Sequence, residues 1–280
     1  MTRSVTVLAT GPLTTVQDLG RPGRGALGIG RSGAADRASA ALANRLLGND
    51  PADGLLEVTL GGLVLRADAD LLVVTTGARC AAAEAHNAPV ALRAGTELRL
   101  GVPATGLRTY VGVRGGFDVD PVLGSRSTDL LSGLGPPPVA VGDVLPVGPS
   151  TGSLPGVDLA PRPDPPGGEV GVRVLSGPRA DWSGEAAWAA LTSRAWTVTA
   201  ESNRVGLRLA GEPLPRERRG ELPSEGMVRG ALQVPPSGLP VLFLADGPVT
   251  GGYPVIGYVV DDDVDRCAQV RPGQSLRLRG

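Results

Sequence analysis

The stretch Glu221–Tyr258, ELPSEGMVRGALQVPPSGLPVLFLADGPVTGGYPVIGY, decides how the rest of the chain reads. Inside its apolar run, Leu239 to Ala245, the segment Val241–Leu244 has the length and composition of a strand. Ser224, Glu225, Gln233 and Ser237 stand on one side of it, and Asp246, Thr250 and Tyr253 on the other. Polar residues on Gly- and Pro-rich loops around a strand are what a site held by a rigid sheet requires. The same glycines and prolines equally suit plain turns of an all-β protein, and both readings stand at this point.

Composition points the same way. The 280 residues include 42 Gly and 26 Pro, which favours many short strands and turns over long helices. Aromatic residues are 3% of the chain, so small aliphatic side chains must fill the interior and little is available to stack nucleobases. A formal net charge of -1 implies no broad basic surface, which argues against nucleic acid as a partner. The two cysteines, Cys80 and Cys267, and the single histidine, His86, give neither a disulfide framework nor a zinc-ligand spacing, and no metal site is expected. Met1 to Leu8 lacks the apolar core of a signal peptide and no run reaches membrane-spanning length, so a cytoplasmic protein with no membrane partner is expected.

Outward toward the amino terminus, Val5–Ala9, Leu55–Leu60, Leu63–Ala67, Leu71–Thr76, Thr96–Leu100 and Leu107–Val113 read as strands. Thr10 to Gly30 is too rich in glycine for a helix, and its glycines let main-chain groups approach a ligand. It offers Asp18 and Arg21 but lacks the GxxxxGK[ST] pattern of a nucleotide-phosphate loop. Asp36 then caps the clearest helix, RASAALANRLLG, with Ala38, Leu42 and Leu46 on one face and Gly48 as its stop. Ser32 at the helix entrance reads either as a ligand-binding hydroxyl or as a turn residue, and Asn44 lies within the helix. Glu57 inside an apolar strand needs a partner or a wet face. Cys80 to Val90 reads as a hairpin with His86 at the surface. Arg114 follows the Leu107–Val113 strand, and Ser125-Arg126-Ser127-Thr128 sets an arginine among small hydroxyls, either an anion site or a solvated turn.

Pro146 to Gly168 is Pro- and Gly-rich without periodicity, so domains are expected at 1–150 and 169–280 with a linker over 151–168. Beyond it, Gly171–Leu175, Trp196–Thr199, Tyr258–Val260 and Ser275–Leu278 read as strands, and Ser183–Ser193 as a helix. VRVLSGP at Val172 weakly echoes VTVLATGP at Val5, suggesting related domains. Asn203 and Arg204 add an amide and a guanidinium, and Asp261-Asp262-Asp263 reads as a solvated turn.

Several blocks together carry a resemblance. They are Thr15-Val16-Gln17-Asp18-Leu19-Gly20-Arg21-Pro22-Gly23, Ser32-Gly33 with Asp36, Ala43-Asn44 with Gly48-Asn49, Leu56-Glu57-Val58-Thr59, Val113-Arg114-Gly115-Gly116 and Leu123-Gly124-Ser125-Arg126-Ser127-Thr128. Ser202-Asn203-Arg204-Val205-Gly206, Ser224-Glu225-Gly226, Gln233-Val234-Pro235-Pro236-Ser237-Gly238 and Thr250-Gly251-Gly252-Tyr253-Pro254 continue them. In these blocks the chain resembles the family of the 5-oxoprolinase C component, also known as the biotin-dependent carboxyltransferase or allophanate hydrolase subunit 2 family. The family commonly has paired threonines before Gly-Gly-Tyr-Pro, whereas Val249 here removes one hydroxyl. Ala35 stands where the family usually has methionine.

The resemblance implies a mainly β protein of two cyclophilin-like β-barrel domains with a few short helices. It implies one component of an ATP-dependent 5-oxoprolinase, inactive alone, that hydrolyses 5-oxo-L-proline to L-glutamate beside a directly bound B component and a separate A component. Mg2+ is expected to accompany ATP. Two alternatives accompany this reading: the carboxyltransferase component of a urea carboxylase-like system, and a non-enzymatic binding protein that regulates a kinase. The sequence contains no lysine, so it cannot itself carry covalently attached biotin. The resemblance selects the positions and side-chain chemistry suggests the roles: Arg21, Arg126 and Arg204 for anionic groups, Asn203 and Gln233 to orient an amide, Asp18, Glu225 or Asp246 for a proton or metal ion, and Thr250 and Tyr253 as one wall. Ser32, Asn44, Arg114 and Ser125 complete the expected substrate-binding set.

Overall fold

A computed structural model describes residues 3–81, 84–150, 152–218, 220 and 222–280. Glu221 at the head of the quoted stretch, Met1 and Thr2 of the amino-terminal segment, and Ala82 and Ala83 of the expected hairpin lie outside the described residues. The chain divides into two compact units. One comprises Met1–Arg21, Ser32–Asp129 and Gly133–Pro165; the other comprises Pro22–Arg31, Leu130–Ser132 and Pro166–Gly280.

In the first unit the elements are β1 (Ser4–Thr10), β2 (Leu13–Gln17), α1 (Arg37–Leu47), β3 (Leu55–Thr59), β4 (Leu63–Ala67), β5 (Leu71–Gly77), β6 (Val90–Leu92), β7 (Glu97–Arg99), β8 (Arg108–Val113) and β9 (Val144–Pro146). They form a four-stranded sheet, β7-β4-β1-β9, and a five-stranded sheet, β2-β3-β8-β5-β6. Val5, Val7, Leu63 and Leu65 of one sheet share a core with Leu56, Val58, Val73, Val111 and Val113 of the other. The opposite face of the five-stranded sheet is covered by α1, through Ala43, Leu46 and Leu47 against Leu55, Val74 and Tyr110. Covering on both faces explains why every residue of β8 is buried. Asp36 caps α1 as expected, its Oδ1 accepting from Ser39 N at 2.9 Å, and Gly48 ends the helix in the left-handed conformation at φ 63°.

The second unit contains β10 (Val170–Ser176), α2 (Gly184–Ser193), β11 (Ala195–Val198), β12 (Gly206–Ala210), β13 (Glu225–Gly226), β14 (Ala231–Gln233), β15 (Val241–Phe243), β16 (Thr250–Gly251), β17 (Val255–Val259), α3 (Asp261–Cys267) and β18 (Ser275–Arg279). Seven of its strands close into a barrel in the order β10-β17-β14-β15-β12-β11-β18. Closure comes from the parallel pairing of β10 with β18. Alternate residues such as Val172, Val174, Leu207, Leu209, Leu276 and Leu278 fill the interior. Trp196 is fully buried among them, and its indole N–H donates to the Leu191 carbonyl at 3.0 Å. β13 and β16 form a separate two-stranded ribbon.

The expectation of two barrels is therefore corrected to one. Among the described residues the sheets of the first unit are open: no ladder joins the four-stranded to the five-stranded sheet, and α1 occupies the outer layer. Barrel closure needs the last strand to pair with the first, which β10 and β18 do and no strands of the first unit do. Two local expectations change as well. The described part of Cys80–Val90 contains turns and isolated bridges, Cys80 to Pro103 and Thr75 to His86, rather than a hairpin. The Asp261–Asp263 run starts α3, and Asp263 is buried because its carboxylate accepts from Arg173 N and Nε, both at 2.8 Å. No helix of the described residues is long and apolar enough to cross a membrane.

Candidate functional site

In the first unit, β2 delivers Gln17 and then Asp18 into a buried turn. Asp18 Oδ1 accepts from Gly20 N at 2.7 Å, Ser125 Oγ at 2.6 Å and Ser127 Oγ at 2.5 Å, while Oδ2 accepts from Arg126 N at 2.6 Å. One carboxylate thus closes its own turn by one charge-assisted bond and ties that turn to the 125–127 loop by three more. Arg21 is 2% exposed; its Nε donates to the Val122 carbonyl at 3.0 Å and its Nη2 to the Ser127 carbonyl at 2.5 Å. Its Nη1 is buried without a hydrogen-bond partner. Ser32, at φ 54°, donates from Oγ to the Thr128 carbonyl at 3.2 Å.

Asp18, Arg21, Ser32 and Ser125 are therefore brought together. Arg126 joins them through its main-chain N–H, but its guanidinium turns to Asp118 Oδ1 at 2.8 Å. Asn44 and Arg114 are engaged around the end of α1: Asn44 Nδ2 donates to the Asp53 carbonyl at 3.0 Å, and Arg114 Nη1 to the Leu47 carbonyl at 2.8 Å. Arg114 thereby satisfies a helix-terminal carbonyl.

Glu57 has the partner its strand position demands. Its Oε1 lies 3.2 Å from Arg108 Nε, and its Oε2 accepts from Tyr110 Oη at 2.8 Å and Ala35 N at 2.9 Å. Burial, with Glu57 and Asp36 nearby, pushes the Tyr110 hydroxyl well above its ordinary pKa, which keeps it protonated as a donor. His86 is buried at 5% exposure rather than at the surface, since main-chain bonds of Thr75 to Ala85 and Asn87 draw its segment onto β5. Burial, reinforced by the Arg79 charge and opposed by Asp164, lowers its pKa.

In the second unit, Arg204 and Asp246 meet at 1% exposure each. Asn203 Oδ1 accepts from Val205 N at 2.8 Å, which shapes the turn that presents Arg204. Gln233 Nε2 donates to the Tyr253 carbonyl at 2.9 Å, and the β13–β16 ribbon pairs Glu225 with Gly251 and Gly226 with Thr250. Glu225 is ion-paired with Arg179, whose hydrogen bonds hold its carboxyl below the usual range. Glu225, Gln233, Thr250 and Tyr253 are thus gathered around one ribbon, with Thr250 and Tyr253 exposed.

Among the described residues no three His, Cys, Asp or Glu side chains group as metal ligands. Neither the Asp18 nor the Asp246 carboxylate fits Mg2+, because N–H and O–H donors already occupy both oxygens of each. Sequence reasoning passed over Gln17, Ser127 and Thr128 as site residues. For Ser127 and Thr128 the signal is the run of small hydroxyl residues in Ser125-Arg126-Ser127-Thr128, in which both serines bond to Asp18; Gln17 carries no such signal.

The family model for the carboxyltransferase domain, subdomain A and B, matches residues 27–280. The C component of 5-oxoprolinase from Escherichia coli (strain K12) is 37% identical over 283 residues, covering 97% of this chain and 89% of its own length. Its counterpart of the same name from Haemophilus influenzae is 32% identical, covering 94% of this chain and 87% of its own length. A urea amidolyase of Lachancea kluyveri is 31% identical over 97% of this chain, but the match is 16% of that protein. The solved structure of TTHA0988 superposes with a TM-score of 0.89 at 35% identity over 100% of this chain, which spans 56% of that chain's length.

Proposed function

We infer, from a chain that belongs to the carboxyltransferase domain, subdomain A and B, family, that it acts as the C component of an ATP-dependent 5-oxoprolinase. The observation that carries this reading is the 37% identity to a relative named for that role, along 89% of the relative's length. The substrate is a cyclic amide bearing a carboxylate, and its product is L-glutamate. Amide resonance resists attack by water, and ATP supplies the activation that overcomes it. ATP, its Mg2+ and the partner A and B components belong, on this reading, to the assembled complex.

The chain's own contribution is binding and orientation. Arg21 takes an anionic group, since its guanidinium retains an unmatched Nη1. Asp18 holds the loops that place it. Within the second unit, taken by itself, Gln233 is the candidate for orienting an amide and is held at the ribbon by the Tyr253 carbonyl. Arg204 and Asp246 neutralise each other and hold the turn beneath β15.

Carboxyl transfer is the second reading, favoured by the family's own description and by the urea amidolyase likeness. Co-purification of this chain with the A and B components, followed by measurement of ADP release, separates the two. Release that depends on 5-oxo-L-proline is the expected result. Carboxylation of urea with a biotin carboxylase and biotinyl carrier, without 5-oxoproline-dependent release, would replace the first reading by the second.

A further inference from the structure

The second unit carries a cleft that none of the expected site residues lines. It lies between a short turn of 3-10 helix, Ala180–Trp182, the first two turns of α2 and the Glu217–Arg218 segment. Its volume is about 860 Å³, in the range of sites that take a drug-sized ligand. The walls are tied together. Glu217 N and Arg218 N both donate to the Trp182 carbonyl, at 3.2 and 3.1 Å. Glu217 lies over Gly184, at φ 77°, where a Cβ would collide with Glu217 Oε1. Trp188 is half-buried and packs over Gly257 of β17, where a Cβ would stand 3.2 Å from its Cζ3.

The lining is charged one way. Asp181, Glu185 and Glu217 stand against a single cation, Arg218, whose Nη1 lies 2.9 Å from Asp181 Oδ2. Neither Glu185 nor Glu217 has an ion pair among the described residues. Two carboxylates therefore line the cleft beside the Trp188 indole. Elsewhere in the same unit such a set includes its cation. The Arg194 guanidinium lies 4.7 Å from the centroid of the Trp196 ring, and its Nη1 donates to Glu212 Oε2 at 2.7 Å. Indole, carboxylate and guanidinium are complementary there in both charge and shape. At Trp188 the unit supplies the indole and the carboxylates, while Arg218 is turned to Asp181.

We propose that this cleft is the docking site for an arginine side chain of another protein. The guanidinium rests against the Trp188 indole and donates to Glu185 and Glu217. Charge selects this occupant, since the lining holds three carboxylates and one guanidinium. A guanidinium suits the site better than an ammonium, because it is planar, more weakly hydrated and donates in a fork. The cleft is several times larger than one guanidinium, so the arginine arrives within a peptide segment whose neighbouring residues lie along Ala186 and Ala189. The proposal is independent of the oxoprolinase reading.

The test is calorimetric titration of the full chain at low salt with a capped Gly-Arg-Gly tripeptide, its citrulline and lysine counterparts, and agmatine. The arginine peptide binds. The citrulline peptide, of the same shape without the charge, binds at least about tenfold more weakly. The lysine peptide is several-fold weaker, and agmatine, lacking the flanking residues, is weaker than the arginine peptide. Glu185 and Glu217 are exposed, so E185Q/E217Q keeps its melting temperature while its affinity for the arginine peptide falls at least about fivefold. W188F retains a ring and most of the affinity, whereas W188L loses about two- to fivefold. Equal binding of the arginine and citrulline peptides overturns the proposal, as does undiminished binding by folded E185Q/E217Q. Binding of none of the four probes also overturns it. Agmatine binding as tightly as the arginine peptide overturns the assignment to a protein partner.

Discussion

Arg204 and Asp246 face each other through two parallel hydrogen bonds of 2.9 Å, Nε to Oδ2 and Nη2 to Oδ1, with both side chains withdrawn from solvent. Asp246 Oδ2 also accepts from Leu130 N at 3.1 Å. Removing one partner leaves a buried charge unmatched. D246N and R204M are each expected to cost about 3–5 kcal/mol of unfolding free energy. The double variant R204M/D246L, which removes both charges, should recover much of that loss. Urea denaturation of the four proteins measures it, and equal losses in single and double variants would show that the pair is not the source.

Gly112 marks where α1 lies on the five-stranded sheet. A Cβ added there would sit 2.9 Å from Leu47 Cδ1 and 3.4 Å from Ala43 Cβ. G112A should therefore destabilise the first unit by about 1–3 kcal/mol, as overpacking does. L47A/G112A frees the space but leaves a cavity elsewhere along the Leu47 side chain. The test is whether the two substitutions together cost less than the sum of their separate effects.

The pattern of β8 shows how far the sequence could be read. Alternation at Leu107, Val111 and Val113 identifies the strand, but not that Arg108 and Tyr110 are buried too, because their burial depends on Glu57 and on α1 arriving from elsewhere in the chain. β1 and β10 share a sequence echo and yet lie in an open sheet and a closed barrel. Closure is decided by whether the last strand reaches the first, a non-local property that short matches do not encode. Asp18 and Arg21 were candidates by side-chain chemistry at positions the family resemblance selects. Their partners were not legible, since the bonds of Asp18 to the 125–127 loop and the unmatched Nη1 of Arg21 become visible only when every neighbouring group has been placed.

His86 is the only histidine, so its titration can be followed as a single imidazole resonance. Burial lowers its folded-state pKa below the ordinary value of 6.5. The unfolded chain therefore binds the proton more readily. The stability contributed by neutral His86 is fully present above about pH 6.5, and it is lost as pH falls through the depressed folded value. H86Q should flatten this part of the stability–pH curve. An NMR midpoint at or above the unfolded value would contradict the argument.

Gly251 and Gly252 provide a matched pair for testing the ribbon. A Cβ at Gly251 would lie 2.7 Å from Gln233 Nε2 and 3.3 Å from Met227 Cγ, whereas a Cβ at Gly252 meets only the Leu222 carbonyl oxygen at 3.5 Å. Neither position requires a left-handed backbone. G251A should push the Gln233 amide off the Tyr253 carbonyl, while G252A leaves it in place. If Gln233 orients the lactam, a displacement of about 1 Å lowers 5-oxoproline-dependent turnover in the assembled complex by up to about a hundredfold. G252A should stay within about twofold of the unmodified chain, as a contact at ordinary van der Waals distance permits. Because the two substitutions add the same methyl group to adjacent residues, equal kinetics in both would remove Gln233 from the orienting role whatever their effect on stability.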